Sequence, residues 1–197
     1  EIAAELAALF AFSAIKNSDK VGLMLFSDKI ELFVPPRKGK KHVLRLIREL
    51  IAFEPQSTGT DIGLCLETLS KVIKRQGILI LISDFLAPVS SFSKPFKLAA
   101  RKFDLIPVIV QDKLEARLPA VHACIDVTDP ETGQEDFLCL SSSEINDALD
   151  DRARTQALNL QALFNPYKIE PIRVDTAQPP ADPVIAFFKQ RAKKIRR

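Results

Sequence analysis

Apolar residues at Ile2, Leu6, Leu9, Phe10, Phe12 and Ile15 recur near a 3.6-residue period in an alanine-rich stretch, which predicts a helix from Glu1 to Lys16. Asn17-Ser18-Asp19-Lys20 ends it. The pattern then changes. Val21-Gly22-Leu23-Met24-Leu25-Phe26 is continuously apolar, as in a strand covered on both faces. Ile30, Leu32 and Val34 alternate with Glu31 and Phe33, as in a half-exposed strand. The short link Ser27-Asp28-Lys29 implies a hairpin and hence an antiparallel edge strand, along which Pro35-Pro36 is expected to block further pairing.

Beyond the basic loop Arg37–Lys41, the residues Val43, Leu44, Leu46, Ile47, Leu50 and Ile51 form a helical stripe, as do Ile62, Leu64, Cys65, Leu66, Leu69, Val72 and Ile73. Ile78–Ile82 is the most apolar run and reads as the central strand. Phe92–Lys102 is a helix with Pro95 near its first turn, where proline is tolerated. Leu105–Val110 is a second buried strand, followed by a loop over residues 111–121. Cys124–Val127 and Phe137–Leu140 flank the turn-rich Asp129-Pro130-Glu131-Thr132-Gly133-Gln134, which predicts an inserted hairpin at about residues 122–141. A turn symmetric about Glu131 and Thr132 would set Cys124 opposite Cys139. A helix from Ser143 to about Phe164, a strand Ile169–Val174 and a helix Val184–Lys193 complete the chain. Strand and helix alternate throughout, so the expectation is an α/β fold with a mainly parallel sheet, in a single domain over residues 1–197.

Composition narrows the function classes. A net charge of +3, no Trp and one Tyr offer little to a nucleic acid. The longest apolar runs are strand-length, too short to span a bilayer, and no basic segment precedes an apolar core as in a signal peptide. Three cysteines without repeated spacing argue against a disulfide scaffold or a zinc knuckle and suit a reducing compartment, so a cytoplasmic location is expected. The basic tail from Lys189 to Arg197 reads as a solvated helix end. Met24 is the sole methionine, and the first helix lacks a capping residue, so the sequence is expected to be a fragment of a longer protein.

Candidate chemistry concentrates in Ser57-Thr58-Gly59-Thr60-Asp61-Ile62-Gly63 and in the strand end Ser83-Asp84-Phe85. Loops at the carboxyl ends of parallel strands form ligand crevices, and a threonine hydroxyl with a carboxylate suits a hard cation such as Mg²⁺. The competing reading is that Thr60 or Thr58 caps the following helix, Asp61 complements its dipole and Asp84 merely ends a strand. No G-x-x-x-x-G-K-[ST] is present to cradle phosphate. Ser27 and Ser83 lack a G-x-S-x-G context, and neither His42, expected in water, nor His122 is placed as a base. Cys65 falls on a buried stripe. A non-enzymatic role is therefore expected, with a metal-dependent hydrolase using Asp61 and Asp84 as the weaker alternative.

The first helix, the run DKVGLMLFSDKIELFVPPRKGKKHVLRLIREL, and the segments STGTDIGLCLETL, GILILISDFL and DPETGQEDFLCL together resemble the bacterial family labelled domain of unknown function fifty-eight, whose members are similar to von Willebrand factor A domains. The resemblance implies a doubly wound, Rossmann-like sheet with one antiparallel edge strand and a metal-ion-dependent adhesion site. Thr60 matches the loop threonine of that site and Asp84 its later aspartate. The D-x-S-x-S motif and the first central strand that carries it are not in this sequence and would precede Glu1. The site would thus be incomplete here, with Mg²⁺ or Mn²⁺ expected in the full-length protein and no ion held tightly by this chain, and Val21–Phe26 and Ile78–Ile82 would each lack a neighbour. The resemblance further implies a protein partner that presents an acidic residue to the metal, and work beside a MoxR-type AAA+ ATPase in complex assembly.

Overall fold

The computed structural model describes residues 2–112, 124–128, 135–139 and 143–195. In chain order these form α1 (Ile2–Lys16), β1 (Val21–Phe26), β2 (Ile30–Arg37), α2 (Lys40–Ile51), α3 (Ile62–Val72), β3 (Ile78–Ser83), α4 (Val89–Lys102), β4 (Asp104–Gln111), β5 (Cys124–Thr128), β6 (Glu135–Cys139), α5 (Ser143–Phe164), a short 3₁₀ turn (Asn165–Tyr167), β7 (Ile172–Asp175) and α6 (Ala181–Ile195). The architecture is mixed α/β. Strands β3, β4 and β7 form a parallel sheet in that order, β1 pairs antiparallel with β2, and β5 pairs antiparallel with β6. The β5–β6 register sets Cys124 opposite Cys139, as the turn symmetry requires. Glu1, residues 113–123 with His122, residues 129–134 and 140–142 of the expected hairpin, and Arg196 and Arg197 lie outside the described residues.

Period-two alternation divides the core between the two faces of the parallel sheet. Leu81, Leu105 and Ile109 face Ile62 and Leu66 of α3, Phe92, Phe96 and Ala99 of α4, and Leu160, Leu163 and Phe164 of α5. On the other face Ile106, Val108, Ile172 and Val174 pack with Leu6 of α1 and Val184 of α6. Helices thus cover both faces. Aromatic rings dominate the first cluster, where Phe96 stacks on Phe164 at 5.1 Å and Phe85 meets Phe92 and Phe164 edge-on. Among the described residues no helix is long and apolar enough to cross a membrane.

Four expectations need correction. The most apolar run, β3, is not central in its sheet: among the described residues it pairs with β4 alone, and β4, flanked by β3 and β7, holds that place. Strand β2 runs past Val34 to Arg37, because the ladder resumes at Val21–Arg37 across an irregularity at Gly22, while its other edge pairs with no strand among the described residues. Glycine makes this possible, since a Cβ there would lie 2.9 Å from the Val34 carbonyl oxygen and 3.0 Å from the Pro36 ring. Helix α4 begins at Val89, which moves Pro95 from the first turn into the second. Proline lacks the N–H that would bond the Ser91 carbonyl, and α3 approaches there: a Cβ on Gly63 would sit 3.2 Å from Ser91 O. Finally, His42 is not simply solvated. Its Nε2 lies 2.9 Å from Val21 O, tying the first turn of α2 to the start of β1.

Candidate functional site

The loop that carries Thr60 is built on the β1–β2 turn. Ser27, 6% exposed, donates through Oγ to Glu31 Oε1 at 2.7 Å, and the same carboxylate oxygen accepts the Gln56 N–H at 3.2 Å. Lys29 Nζ reaches Gln56 Oε1 at 3.3 Å, and the Asp61 N–H donates to Ser27 O at 2.8 Å. Gly59 lies so close to Asp28 that a Cβ on it would be 3.3 Å from the Asp28 Cβ. A hydrogen bond from Ser57 holds the Asp28 carboxyl below its ordinary range; desolvation opposes it, and Ser27 and Lys29 add smaller lowering contributions. Only the polar pair Ser27-Asp28 after an apolar run hinted at this seat in the sequence.

Thr60 is exposed at the end of that loop. It does not cap α3, and neither does Thr58. The cap is Asp61, whose Oδ1 accepts the Leu64 N–H at 2.8 Å. This corrects the threonine-cap reading, and the reason is register: α3 starts at Ile62, so Asp61 occupies the position from which a side chain reaches the third helical N–H. Cys65 is buried on this helix, with Sγ 3.8 Å from Met24 Sδ. Burial, helped by the charge of Asp61, pushes its thiol up to about 12.

Asp84 occupies a second turn, at the carboxyl end of β3. Its Oδ1 accepts the Leu86 N–H at 3.1 Å and is approached by Ser83 Oγ at 3.3 Å, while Ser83 Oγ accepts the Phe85 N–H at 3.1 Å. Phe85 is fully buried with φ 57°, in the left-handed region that non-glycine residues seldom occupy. Asp84 itself is exposed, and its Oδ2 has no hydrogen-bond partner among the described residues. With Ala3, Ile82, Ser83, Val110, Asp112 and Thr176 it lines a cavity of about 250 Å³ where β3, β4 and β7 end.

Thr60 is not among the lining residues of that cavity. Its loop reaches the same end of the fold through the packing of Gly63 at the start of α3 against Ser91 near the start of α4. The structure therefore assembles Ser83, Asp84, Asp112 and Thr176 around one opening, with Thr60 on a separately tethered loop. Asp112 and Thr176 were missed in the sequence, since their strand ends become neighbours of Asp84 only through the β3–β4–β7 order. Among the described residues, no three His, Cys, Asp or Glu side chains group together as a metal cage.

The fold is similar to that of a solved structure, the conserved hypothetical protein BatB from Bacteroides thetaiotaomicron, with a TM-score of 0.57 over 98% of this chain and 89% of that one at 16% identity. In sequence the chain is 25% identical over 135 residues to the uncharacterized proteins Rv1480 of Mycobacterium tuberculosis and Mb1516 of Mycobacterium bovis. The match covers 68% of this chain and 42% of each relative, so it spans less than half the length of these proteins. An uncharacterized protein of Mycobacterium avium, MAV169, is 26% identical over 51% of this chain and 59% of its own. The model of the family described as Protein of unknown function DUF58 matches residues 1–158, and the chain belongs to that family.

Proposed function

We propose that this chain is a protein–protein interaction domain of the von Willebrand factor A type, in which Asp84 and Thr60 contribute oxygens to a divalent cation, Mg²⁺ or Mn²⁺, whose shell an acidic residue of the partner completes. The observation that carries the reading is the state of Asp84. One carboxylate oxygen is fixed by its own turn, and the other has no hydrogen-bond partner among the described residues, beside a cavity at the carboxyl edge of a parallel sheet. The donors around that opening are carboxylates and hydroxyls, with no His or Cys among the lining residues. Such a set suits Mg²⁺ or Mn²⁺ rather than a softer metal.

When bound, the cation would supply a fixed positive charge with an open position for a carboxylate. The chain's own part is to hold Asp84 and to seat the Thr60 loop on Ser27 and Asp28. Mg²⁺ demands a nearly complete octahedron, so the shell needs further ligands, which we assign to water and to a D-x-S-x-S segment preceding this stretch in the longer protein. The resemblance described for the sequence also leads us to assign the longer protein a role beside a MoxR-type AAA+ ATPase, as a docking or assembly partner.

Calorimetry with Mg²⁺ and Mn²⁺ on this chain and on an N-terminally extended form tests the reading. Binding by the extended form, abolished in Asp84→Ala, supports it; absence of binding by both overturns it. A second reading, a metal-independent assembly module, draws on the engagement of Asp61 in a helix cap and of Asp84 Oδ1 in its turn. Partner capture that persists in chelator and in Asp84→Ala would favour that module.

A further inference from the structure

We infer that Gln156 is a positioning residue for Asp84, an inference whose functional consequence rests on the metal-assisted reading above. Gln156 lies on α5 at i, i+4, i+8 spacing with Leu160 and Phe164, two residues of the aromatic core cluster. The inward-facing stripe of the helix thus continues toward its N-terminus with one partly buried polar side chain. Gln156 Nε2 donates to Phe85 O at 2.6 Å and to Ala87 O at 3.0 Å. Both partners are carbonyls, which fixes the orientation of the amide, and a primary amide has one N–H for each.

The position of this clamp gives it its effect. Phe85 holds a backbone conformation that costs a bulky side chain energy and persists only where the surroundings enforce it. Ser83 Oγ and Asp84 Oδ1 bond the Phe85 and Leu86 N–H groups, but those contacts are internal to the turn and move with it. The Gln156 amide reaches the same turn from a helix more than sixty residues downstream, on the carbonyls flanking Leu86. Together with the Phe85 ring against Phe92 and Phe164, it fixes the turn relative to the sheet, and so fixes where the Asp84 carboxylate stands.

The test uses Gln156→Leu, which keeps the bulk without donors, and Gln156→Asn, which keeps the amide on a shorter arm. In this chain, amide hydrogen exchange at Phe85 and Leu86 should accelerate about tenfold in Gln156→Leu relative to exchange at Val108 and Ile109, as expected for loss of a partly buried hydrogen bond. Gln156→Asn should fall between it and the wild type. In the N-terminally extended protein the Mn²⁺ Kd should weaken about tenfold with Gln156→Leu, while Leu158→Ala, on the exposed side of α5, leaves it unchanged. Exchange that rises equally in turn and core would overturn the inference, since Gln156 would then act only through global stability. A loosened turn with unchanged Mn²⁺ affinity would overturn it too. Absence of Mn²⁺ binding by the wild type would defeat the metal-assisted reading, and the exchange comparison would still decide whether Gln156 fixes the turn.

Discussion

Strand β1 and the Leu105–Val110 stretch of β4 are both uninterrupted apolar runs, yet they end in different surroundings. In β4 every residue from Leu105 to Ile109 is buried, because β3 and β7 pair on its two sides and helices cover both faces. In β1 no residue is buried, and β2 is its one ladder partner among the described residues. Apolar composition licenses burial; the neighbours deliver it. The side chains of β1 and, apart from Leu81, of β3, which among the described residues also pairs on one side only, are less enclosed than those of β4.

The comparison breaks most directly by truncation. Ile109→Ala should cost about 3–4 kcal/mol through lost transfer energy and a residual cavity, whereas Leu25→Ala, half-exposed already, should cost about 1 kcal/mol. Denaturant unfolding of the two variants decides it, and equal losses would mean that β1 is as well enclosed as β4. Gly22→Ala comes next. The added methyl meets Val34 O and the Pro36 ring, so a loss of about 1–3 kcal/mol is expected, and Pro36→Ala in the same chain should restore part of it.

A smaller effect belongs to the helix that bridges the two regions. Asp61→Ala should lower stability by about 1 kcal/mol through loss of the cap, with Asp61→Asn near neutral. Cys65, where α3 meets β1, sharpens the comparison through pH. Its folded-state value is raised to about 12 from 9.0, so the neutral thiol's contribution is complete below pH 9 and is lost as pH rises toward 12. Alkylation at pH 8 followed by peptide mapping should find Cys65 unmodified in the folded chain and modified in denaturant. Asp28 carries the smallest effect and the opposite sign. Its lowered value gives a contribution present above pH 3.8 that disappears as pH falls further, visible as a small difference between wild type and Asp28→Asn in acid unfolding.

Much of the fold was legible because it rests on short-range periodicity. The helices, the β1–β2 hairpin and the Cys124–Cys139 register follow from spacing and turn residues alone. What escaped depends on contacts between distant segments. That Pro36 can remain within a paired strand is decided by Gly22 across the ladder, and that Pro95 can lie in the second turn of α4 is tied to the approach of Gly63. Thr60 and Asp84 were visible as hard-oxygen candidates beside strand ends, but Asp112 and Thr176 required the strand order. Gln156 carried no signal, for a lone glutamine on a helix has a partner only once Phe85 and Ala87 turn their carbonyls toward it.

The chemical nature of that glutamine clamp has a consequence for working conditions. An amide donating to two carbonyls has nothing to titrate and carries no net charge for salt to screen. A lysine or histidine in the same place would let acidity or ionic strength loosen the turn. With glutamine, the clamp on the Phe85 turn should hold equally from mildly acidic to alkaline solution and from dilute buffer to high salt.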